Sequence, residues 1–295
     1  MRILGVLCSY TVTSRLGPHD LLIRGPFSDG SSKRRLINRG LKWQHQLFGF
    51  SRPVTLHVSS ENPFSENYQG FVQSGCDFGL GHEIRIGDNR YRRMPHWWNY
   101  VDFSDQGIPS PPQWVRLGQP LQQEQLLRPL QWNSDGQQKA AFIASYLNGQ
   151  RRFLMAQVQK TLPVDGFGRA FDGAIRDHTR SGFTKRELLK GYQYSFCPEN
   201  AISPGYYTEK IPESFACGSI PIAYVDTHAR LDFDPRAFLN VYDYLEGGVS
   251  AGLAHDLSSS HRIAELTSTP LLREHLNLDP TIDFLRRVVV ESKAS

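Results

Sequence analysis

The feature that most constrains the fold is the stretch from Tyr194 to Asp226, which has the pattern of a strand, a loop, a helix and a second strand. Residues 194–197 are short, apolar and aromatic, whereas residues 198–205 contain two prolines and a glycine, as is typical of a loop. The largely apolar run from Ser219 to Val225 suits a buried parallel strand. A β-α-β unit of this length places its loop at the carboxyl edge of a parallel sheet, where α/β proteins bind ligands. The sequence therefore predicts an α/β fold with a ligand site in this loop.

The loop and the start of the helix hold several polar side chains within a dozen residues. Thr208 is predicted to cap the helix, and Cys217-Gly218 is predicted to end it. A solvated loop would explain scattered charges. It explains less well a Tyr-Tyr-Thr-Glu-Lys cluster at a helix start, where anions are favoured. The polar candidates in this stretch are Glu199, Asn200, Tyr206, Glu209 and Lys210.

The composition narrows the class of protein. A chain of 295 residues with 39% hydrophobic and 12% aromatic residues suits two globular domains of moderate size. The four scattered cysteines and a start unlike a signal peptide predict a reduced, cytoplasmic protein. No apolar run approaches the roughly 20 residues that would span a bilayer. The net charge of +4 fits a nucleotide, a membrane surface or nucleic acid, but no basic-aromatic array typical of RNA binding is present.

An acidic candidate follows a predicted strand in the first half of the chain. The β-branched segment from Val54 to Val58 predicts a strand, and Glu61 lies in the polar turn after it. Catalytic carboxylates often lie at the carboxyl end of such strands, although a helix cap or a surface acid fits this stretch equally well. Glu66 lies five residues further into a Pro-containing loop, where its placement would be looser.

A basic candidate opens the second half of the chain. Lys139 to Ser145 predicts a strand, Asn148-Gly149 a turn, and Arg151 to Leu162 a helix that begins with two arginines. This arrangement suits a phosphate site, because backbone amides face the anion and a guanidinium grips two oxygens. A solvated basic pair is the alternative. The Pro-, Gly- and Gln-rich residues 102–138 are predicted to be a linker with little regular structure.

Several segments resemble one known family. The nucleotide-sugar signature of the α-1,3/4-fucosyltransferases, glycosyltransferase family 10, resembles the pattern formed here by Cys197, Glu199, Asn200, Tyr206, Thr208, Glu209 and Lys210. Pro198 stands where the bacterial members usually have phenylalanine. Segments of the bacterial members also resemble GSIPIAYVD, DPRAFLNVYDY, Ser60-Glu61-Asn62 and RYRRMP. Eleven residues separate Arg151 from Pro163, as in the family, so the resemblance assigns the family's arginine to Arg151 rather than Arg152.

The resemblance implies a GT-B fold, in which two Rossmann-like domains face each other across a cleft. Residues 1–138 would form the acceptor-binding domain with the general base, and residues 139–270 the GDP-fucose-binding domain. Residues 271–295 would form a closing C-terminal helix. For this amphipathic helix, binding to a membrane surface is the sharper alternative.

The implied reaction is the inverting transfer of L-fucose from GDP-β-L-fucose to a hydroxyl of a glycan, with an α-1,3 linkage to N-acetylglucosamine or glucose expected. Glu61 would be the general base, with Glu66, and then Glu83 or Asp77, as alternatives. The resemblance gives the pyrophosphate to Arg151 and Lys210. Asn200 and Tyr206 would bind the donor by hydrogen bonds, and Glu209 would hold sugar or ribose hydroxyls or ease positive charge on the fucosyl ring.

No Asp-x-Asp motif occurs in the signature, so no obligatory metal or other cofactor is expected. The expected partners are GDP-fucose and an oligosaccharide or glycoconjugate acceptor, without nucleic acid and with peripheral membrane contact left open. Two other classes remain. One is a GT-B transferase that uses another sugar nucleotide, and the other is a non-catalytic protein that binds a glycan or a nucleotide.

Overall fold

The structure is a computed structural model that describes residues 21–26, 53–59, 61–66, 68–103, 116–171 and 184–294. The chain divides into two compact units, residues 1–96 with 277–295 and residues 97–276. Each unit contains one parallel β-sheet, which confirms the predicted α/β class.

The first unit is built on four parallel strands in the order β1-β2-β3-β4. These strands are β1 (Leu21–Arg24), β2 (Val54–Ser59), β3 (Phe78–Gly81) and β4 (Tyr91–Arg93). The short helix α1 (Phe71–Ser74) lies between β2 and β3 in the chain. The strand predicted over Val54 to Val58 is confirmed as β2.

The second unit contains a five-stranded parallel sheet in the order β6-β5-β7-β8-β9. Its strands are β5 (Gln137–Ile143), β6 (Val164–Phe167), β7 (Tyr192–Phe196), β8 (Ile220–Ala223) and β9 (Leu239–Asn240). Its α-helices are α2 (Gln123–Leu126), α3 (Gly149–Val158), α4 (Lys185–Lys190), α5 (Lys210–Ala216), α6 (Val249–Ser258) and α7 (Ser260–Ser268). Short 3-10 helices cover His96–Tyr100, Thr227–Leu231, Pro235–Ala237 and Val241–Tyr244.

The core of the second unit lies on its sheet. The middle of β5 contributes Ala140, Ala141 and Phe142, each at most 1% exposed, as expected for a parallel strand covered on both faces. The β-α-β unit predicted from Tyr194 onward is confirmed as β7, α5 and β8, with boundaries shifted by a few residues. Cys197 and Cys217 are buried free thiols within this core.

The carboxyl-terminal helix α8 (Asp279–Ala294) packs on the first sheet rather than on the second. Phe284, Leu285 and Val288 form its buried stripe against Leu56 and Phe78. The ring of Phe284 meets that of Phe78 edge-on with centroids 6.0 Å apart. The amphipathic pattern predicted the helix but not the sheet that receives it. No helix in the part of the chain that the structure describes has both the length and the apolar character to cross a membrane.

The unit boundaries differ from those expected at residues 138 and 270. The stretch over residues 102–138 does not behave as a linker where it is described, because Leu117, Leu121, Leu126 and Leu130 are buried in the core of the second unit. The assignment of acceptor binding to residues 1–138 and of donor binding to residues 139–270 stays a prediction.

Candidate active site

The strand order of the second sheet sends the chain in opposite directions from two neighbouring strands. β5 leads through α3 to β6 on one side, whereas β7 leads through α5 to β8 on the other. The loops that leave β5 and β7 therefore separate at the carboxyl edge of the sheet. Open α/β sheets bind ligands in the crevice that forms at such a point. The loop after β7, residues 197–209, is the one in which the sequence predicts a ligand site, and we name it the β7–α5 loop.

Arg151 joins the loops that follow β5 and β7. It lies in the first turn of α3, where its backbone N–H donates to the side chain of the N-cap Asn148 at 2.8 Å. Its guanidinium is buried and donates to three backbone carbonyl oxygens, those of Tyr146 (3.1 Å), Pro198 (2.8 Å) and Glu199 (3.4 Å). Burial lowers the pKa of Arg151 and the Glu199 carboxylate opposes that shift. The sequence predicted a phosphate ligand here, and the structure adds a role that it did not predict, since Arg151 holds the β7–α5 loop against α3.

Glu199 is the centre of the β7–α5 loop and is only 1% exposed. One carboxylate oxygen accepts hydrogen bonds from the backbone N–H of Thr208 at 2.7 Å and from its hydroxyl at 2.8 Å. The other accepts from Lys210 Nζ at 2.8 Å. Lys210 Nζ also lies 2.5 Å from the Thr208 hydroxyl. Two of the three N–H groups of the ammonium are thereby directed inward, which fixes where the third can point.

Thr208 does not cap the helix, contrary to the sequence prediction. The helix α5 begins at Lys210 with Glu209 as its N-cap, and no side chain caps it. The Thr208 hydroxyl is bonded instead to Glu199. A buried carboxylate offers a charge-assisted hydrogen bond, which is stronger than a neutral cap, and this competition explains the error.

The remaining predicted donor ligands lie in the same loop. Asn200 is partly buried, and its backbone carbonyl accepts from the Asn148 side chain at 2.9 Å. Tyr206 is 5% exposed, and its N–H donates to the Ser203 carbonyl at 2.9 Å. Glu209 is partly buried and directly precedes α5. The structure therefore brings Arg151, Asn200, Tyr206, Glu209 and Lys210 to one edge of the second sheet.

Two further contacts shape the loop and were not predicted. The Tyr207 hydroxyl donates to Asp226 at 2.8 Å and accepts from the N–H of Gly205 at 3.2 Å. Gly205 has φ of 85°, a conformation that side chains disfavour, so the glycine at this turn has a steric reason. Tyr207 directly follows Tyr206 in the sequence. No sequence pattern shows which of the two side chains stabilises the loop.

A buried ion pair lies below this loop. Lys185 Nζ is 2.5 Å from the Glu213 carboxylate, and both side chains are at most 10% exposed. The sequence analysis did not single out either residue. A lysine at the start of a short helix and a glutamate in the middle of another are each typical of a solvated face, and only the fold brings them together.

Glu61 lies beyond the carboxyl end of β2 and is exposed. Near it, the Ser59 hydroxyl at the end of β2 donates to the Tyr68 hydroxyl at 3.2 Å. The Glu61 carboxylate is one of the charges that raise the pKa of Tyr68, after burial, which is the main cause. Glu66 is also exposed, further along the same segment. Exposure leaves both carboxylates accessible to a ligand and does not choose between them.

The two further acids considered as bases differ in position. Asp77 precedes β3 and accepts from both the N–H and the hydroxyl of Thr55, at 2.8 and 2.7 Å. Since the strands are parallel, Asp77 lies at the opposite edge of the sheet from Glu61 and is excluded as an alternative base at that site. Glu83 follows β3 at the same edge as Glu61, where it accepts from the N–H of Phe71 at 2.9 Å and lies 3.5 Å from Arg85.

His82 adds an uncharged imidazole beside Glu83. Burial, together with the charges of His96 and Arg93, lowers the pKa of His82 to about 4. It is therefore neutral near pH 7.

A cavity of about 560 Å³ in the first unit lies at the other edge of the sheet, where Val54, Phe78 and Arg90 stand near the starts of β2, β3 and β4. Glu61 does not line this cavity.

Comparison with known proteins assigns the segment that contains the β7–α5 loop. Residues 134–260 match the family model described as the C-terminal domain of glycosyltransferase family 10 (fucosyltransferase). This segment is therefore similar to the C-terminal domain of the family 10 fucosyltransferases. It contains all five predicted donor ligands, whereas Glu61 lies outside it.

The family 10 assignment agrees with two other kinds of comparison. An α-(1,3)-fucosyltransferase of Helicobacter pylori is 32% identical over 107 residues, which are 36% of this chain and 21% of that protein. The matched segment thus spans about a fifth of that relative's length. A crystal structure of an α1,3-fucosyltransferase superposes with a TM-score of 0.66 at 21% identity, over 98% of this chain and 83% of the other. A second, with GDP-fucose, gives 0.57 at 17% identity, over 97% and 95%. At these identities the superpositions show the fold alone, which is the expected GT-B fold.

Within the described residues of the family 10 domain and of the first unit, no group of three or more His, Cys, Asp or Glu side chains is arranged to hold a metal ion. The cations of the β7–α5 loop region are instead the side chains of Arg151 and Lys210.

Proposed function

We propose that this protein is an inverting fucosyltransferase, which moves L-fucose from GDP-β-L-fucose to a hydroxyl of a glycan acceptor. The observation that carries the proposal is the coincidence of the family 10 domain with a charged loop at the switch point of its sheet. The neighbouring crystal structure described as an α1,3-fucosyltransferase with GDP-fucose supports the choice of donor. The printed names of the relatives favour an α-1,3 linkage, and the proposal takes N-acetylglucosamine or glucose as the acceptor unit.

The donor pyrophosphate would lie between Lys210 and Arg151. Lys210 is oriented by Glu199 and Thr208, and keeps one N–H for a ligand oxygen. The departing diphosphate gains negative charge, so cations that are already fixed in place lower the barrier. Arg151 would act both by its charge and by holding the loop through its carbonyl contacts.

Asn200 and Tyr206 would bind the nucleotide sugar by hydrogen bonds. Glu209 would hold sugar or ribose hydroxyls, or ease positive charge on the fucosyl ring. The location of Asn200, Tyr206 and Glu209 between β7 and α5, at the carboxyl edge of the sheet, supports these roles.

Inversion requires a single displacement. Glu61 takes the proton of the acceptor hydroxyl, the acceptor oxygen forms a bond to the anomeric carbon, and the bond from that carbon to the phosphate oxygen breaks as GDP leaves. The position of Glu61 beyond the end of β2 and its exposure support this role. No obligatory metal or other cofactor is part of the proposal, because the two protein cations can carry the charge of the leaving group.

The donor is tested first by thermal unfolding. GDP and GDP-fucose should raise the Tm, and UDP-sugars and CMP-sugars should leave it unchanged, since a ligand stabilises the state that it binds. A larger shift with a UDP-sugar would favour the alternative of a GT-B transferase with another donor.

Turnover is tested with labelled GDP-fucose on a glycan array, with water as the control acceptor. Transfer to one class of glycan supports the proposal. Binding of GDP without transfer to any acceptor would favour the alternative of a non-catalytic binding protein. The array should be repeated with EDTA, and a complete loss of transfer that is restored by a divalent metal would show that the proposed metal independence is wrong.

A further inference from the structure

The buried pair of Lys185 and Glu213 connects α4 to α5. Lys185 is the first residue of α4, behind a capping box formed by Thr184 and Glu187, and its backbone N–H donates to the Arg116 carbonyl at 3.2 Å. Its ammonium reaches the Glu213 carboxylate at 2.5 Å. Glu213 is 1% exposed. Burying such a pair is costly unless the geometry is close, so the contact calls for an explanation.

Glu213 belongs to the same helical turn as the proposed donor ligands. Its backbone N–H donates to the Glu209 carbonyl at 2.8 Å. The next side chain, Ser214, donates to the Lys210 carbonyl at 2.7 Å. A charge on Glu213 therefore acts at short range on the start of α5, where Lys210 lies.

Two of the carboxylates around α5 are paired with lysines. The carboxylates of Glu199, Glu209 and Glu213 interact electrostatically with three nearby cations. The cations are Lys185, Lys210 and Arg151. Lys210 is paired with Glu199 and Lys185 with Glu213. If Lys185 were absent and Glu213 stayed ionised, the group would carry an excess negative charge beside the place proposed for a diphosphate.

We propose that Lys185 is a positioning residue of the donor site, which neutralises Glu213 so that the start of α5 accepts an anionic nucleotide. It acts through Glu213 and does not touch the ligand. This inference rests on the proposed function, because it requires that GDP binds at the β7–α5 loop.

The titration of the pair agrees with this role. Burial raises the pKa of Glu213, while Lys185 acts to lower it. For Lys185, burial acts to lower the pKa, but the Glu213 and Glu209 carboxylates outweigh it and raise it. The titratable groups that face the pair are Glu209, Lys210, Tyr100, Cys197 and Cys217. Removing the lysine should therefore raise the pKa of Glu213 further, so that lowering the pH protonates this carboxyl group more readily than in the wild type.

The test compares three variants of the full chain by calorimetric titration with GDP. Lys185→Met leaves Glu213 without its partner. The double variant Lys185→Met/Glu213→Met replaces the pair by apolar side chains of similar length, a change that buried ion pairs often tolerate. Lys190→Met removes an exposed lysine from the same helix and is the matched control. Each affinity is divided by the wild-type value at the same pH, which cancels the titration of GDP itself.

At mildly alkaline pH, Lys185→Met should bind GDP roughly tenfold more weakly than the wild type, since an uncompensated charge acts at short range in a partly buried site. The loss should shrink as the pH is lowered, because protonation removes the uncompensated charge of Glu213. The double variant should bind within about threefold of the wild type at both pH values, because the balance of charge is restored. The control should match the wild type throughout.

Three results would overturn the inference. A double variant that binds as weakly as Lys185→Met would show that the pair is a mechanical tie between α4 and α5. A loss that does not change with pH would separate Lys185 from the ionisation of Glu213. Equal affinity of all variants would leave Lys185 without a role in the site. If the wild type itself fails to bind GDP, the proposed function fails first. If Lys185→Met does not fold, the double variant still decides, because the inference requires it to bind GDP normally.

Discussion

Replacement of Glu199 by glutamine tests whether one buried carboxylate organises the β7–α5 loop. The substitution keeps the shape of the side chain and removes its charge. The amide oxygen can still accept from Thr208, but the amide nitrogen then stands 2.8 Å from the Lys210 ammonium, where two donors face each other. The lysine must then turn away or recruit water.

The magnitude follows from the contacts that are lost. A hydrogen bond to a charged group contributes about 1.5–3 kcal/mol, and breaking a fully buried ion pair costs about 3–5 kcal/mol. The Lys210 side chain is 15% exposed, so water partly compensates it and the lower part of this range applies. We expect a loss of about 2–3 kcal/mol. In a unit of the size of residues 97–276, this corresponds to a fall in Tm of roughly 4–12 °C.

The assay is thermal unfolding followed by circular dichroism, with Glu265→Gln as the matched control. Glu265 also accepts from a cation, Arg262 at 2.6 Å, but its side chain is 34% exposed. This pair is more exposed than that of Glu199 and Lys210, and pairs near the surface contribute about 0–1 kcal/mol, so the control should change the Tm by less than about 4 °C. If Glu199→Gln unfolds within the range of the control, Glu199 does not hold the loop and the reasoning is wrong.

Four further outcomes are expected. Glu61→Gln should lower kcat by about 10²–10⁴-fold while GDP-fucose affinity stays near normal, and Glu66→Gln should have a small effect; the reverse pattern in steady-state kinetics would identify Glu66 as the base. Lys210→Ala should cost about 2–4 kcal/mol of transition-state stabilisation, measured as kcat/KM, and activity near wild type would argue against a pyrophosphate contact. Burial raises the pKa of the Cys197 thiol to about 12, so it should resist alkylation near neutral pH until the protein unfolds, as counted by mass spectrometry. Hydrogen bonds from Arg236 hold the pKa of Asp234 at about 2; because this pKa is depressed, its stabilisation should be present above about pH 4 and lost between about pH 4 and pH 2, and Asp234→Asn should flatten that acid limb of the unfolding curve.

Local sequence patterns were sufficient for the elements that surround the site. The apolar runs gave β5, β7 and β8, and turn residues such as Asn148-Gly149 marked where the loops leave them. Because parallel strands must be joined by crossovers, the position of the β7–α5 loop at the carboxyl edge then followed without knowledge of other contacts. The five polar candidates were expected near this edge for the same reason, whereas their roles toward the donor came from the resemblance to family 10 and stay predictions.

Contacts between distant segments could not be predicted in this way. Lys185 and Glu213 are separated by 28 residues in the chain, and neither lies in a pattern that distinguishes a buried charge from a solvated one. The amphipathic stripe of α8 required an apolar surface but did not specify that the first sheet provides it. Thr208 was expected to cap the helix, but its hydroxyl binds the Glu199 carboxylate nine residues earlier. Local helix-capping preferences do not take such a contact into account.

The two cations of the proposed donor site are held in place by the protein itself. Arg151 uses its guanidinium to connect three carbonyls, and Lys210 is directed by Glu199 and Thr208. A cation that is free in solvent would have to lose its mobility when a diphosphate arrives, whereas these two have lost most of it during folding. Such an arrangement also limits the net positive charge at Lys210, because its ammonium is paired with the Glu199 carboxylate. The site then attracts an anion by the direction of a few N–H groups rather than by excess charge, and for this reason one extra negative charge on Glu213 should be enough to weaken it.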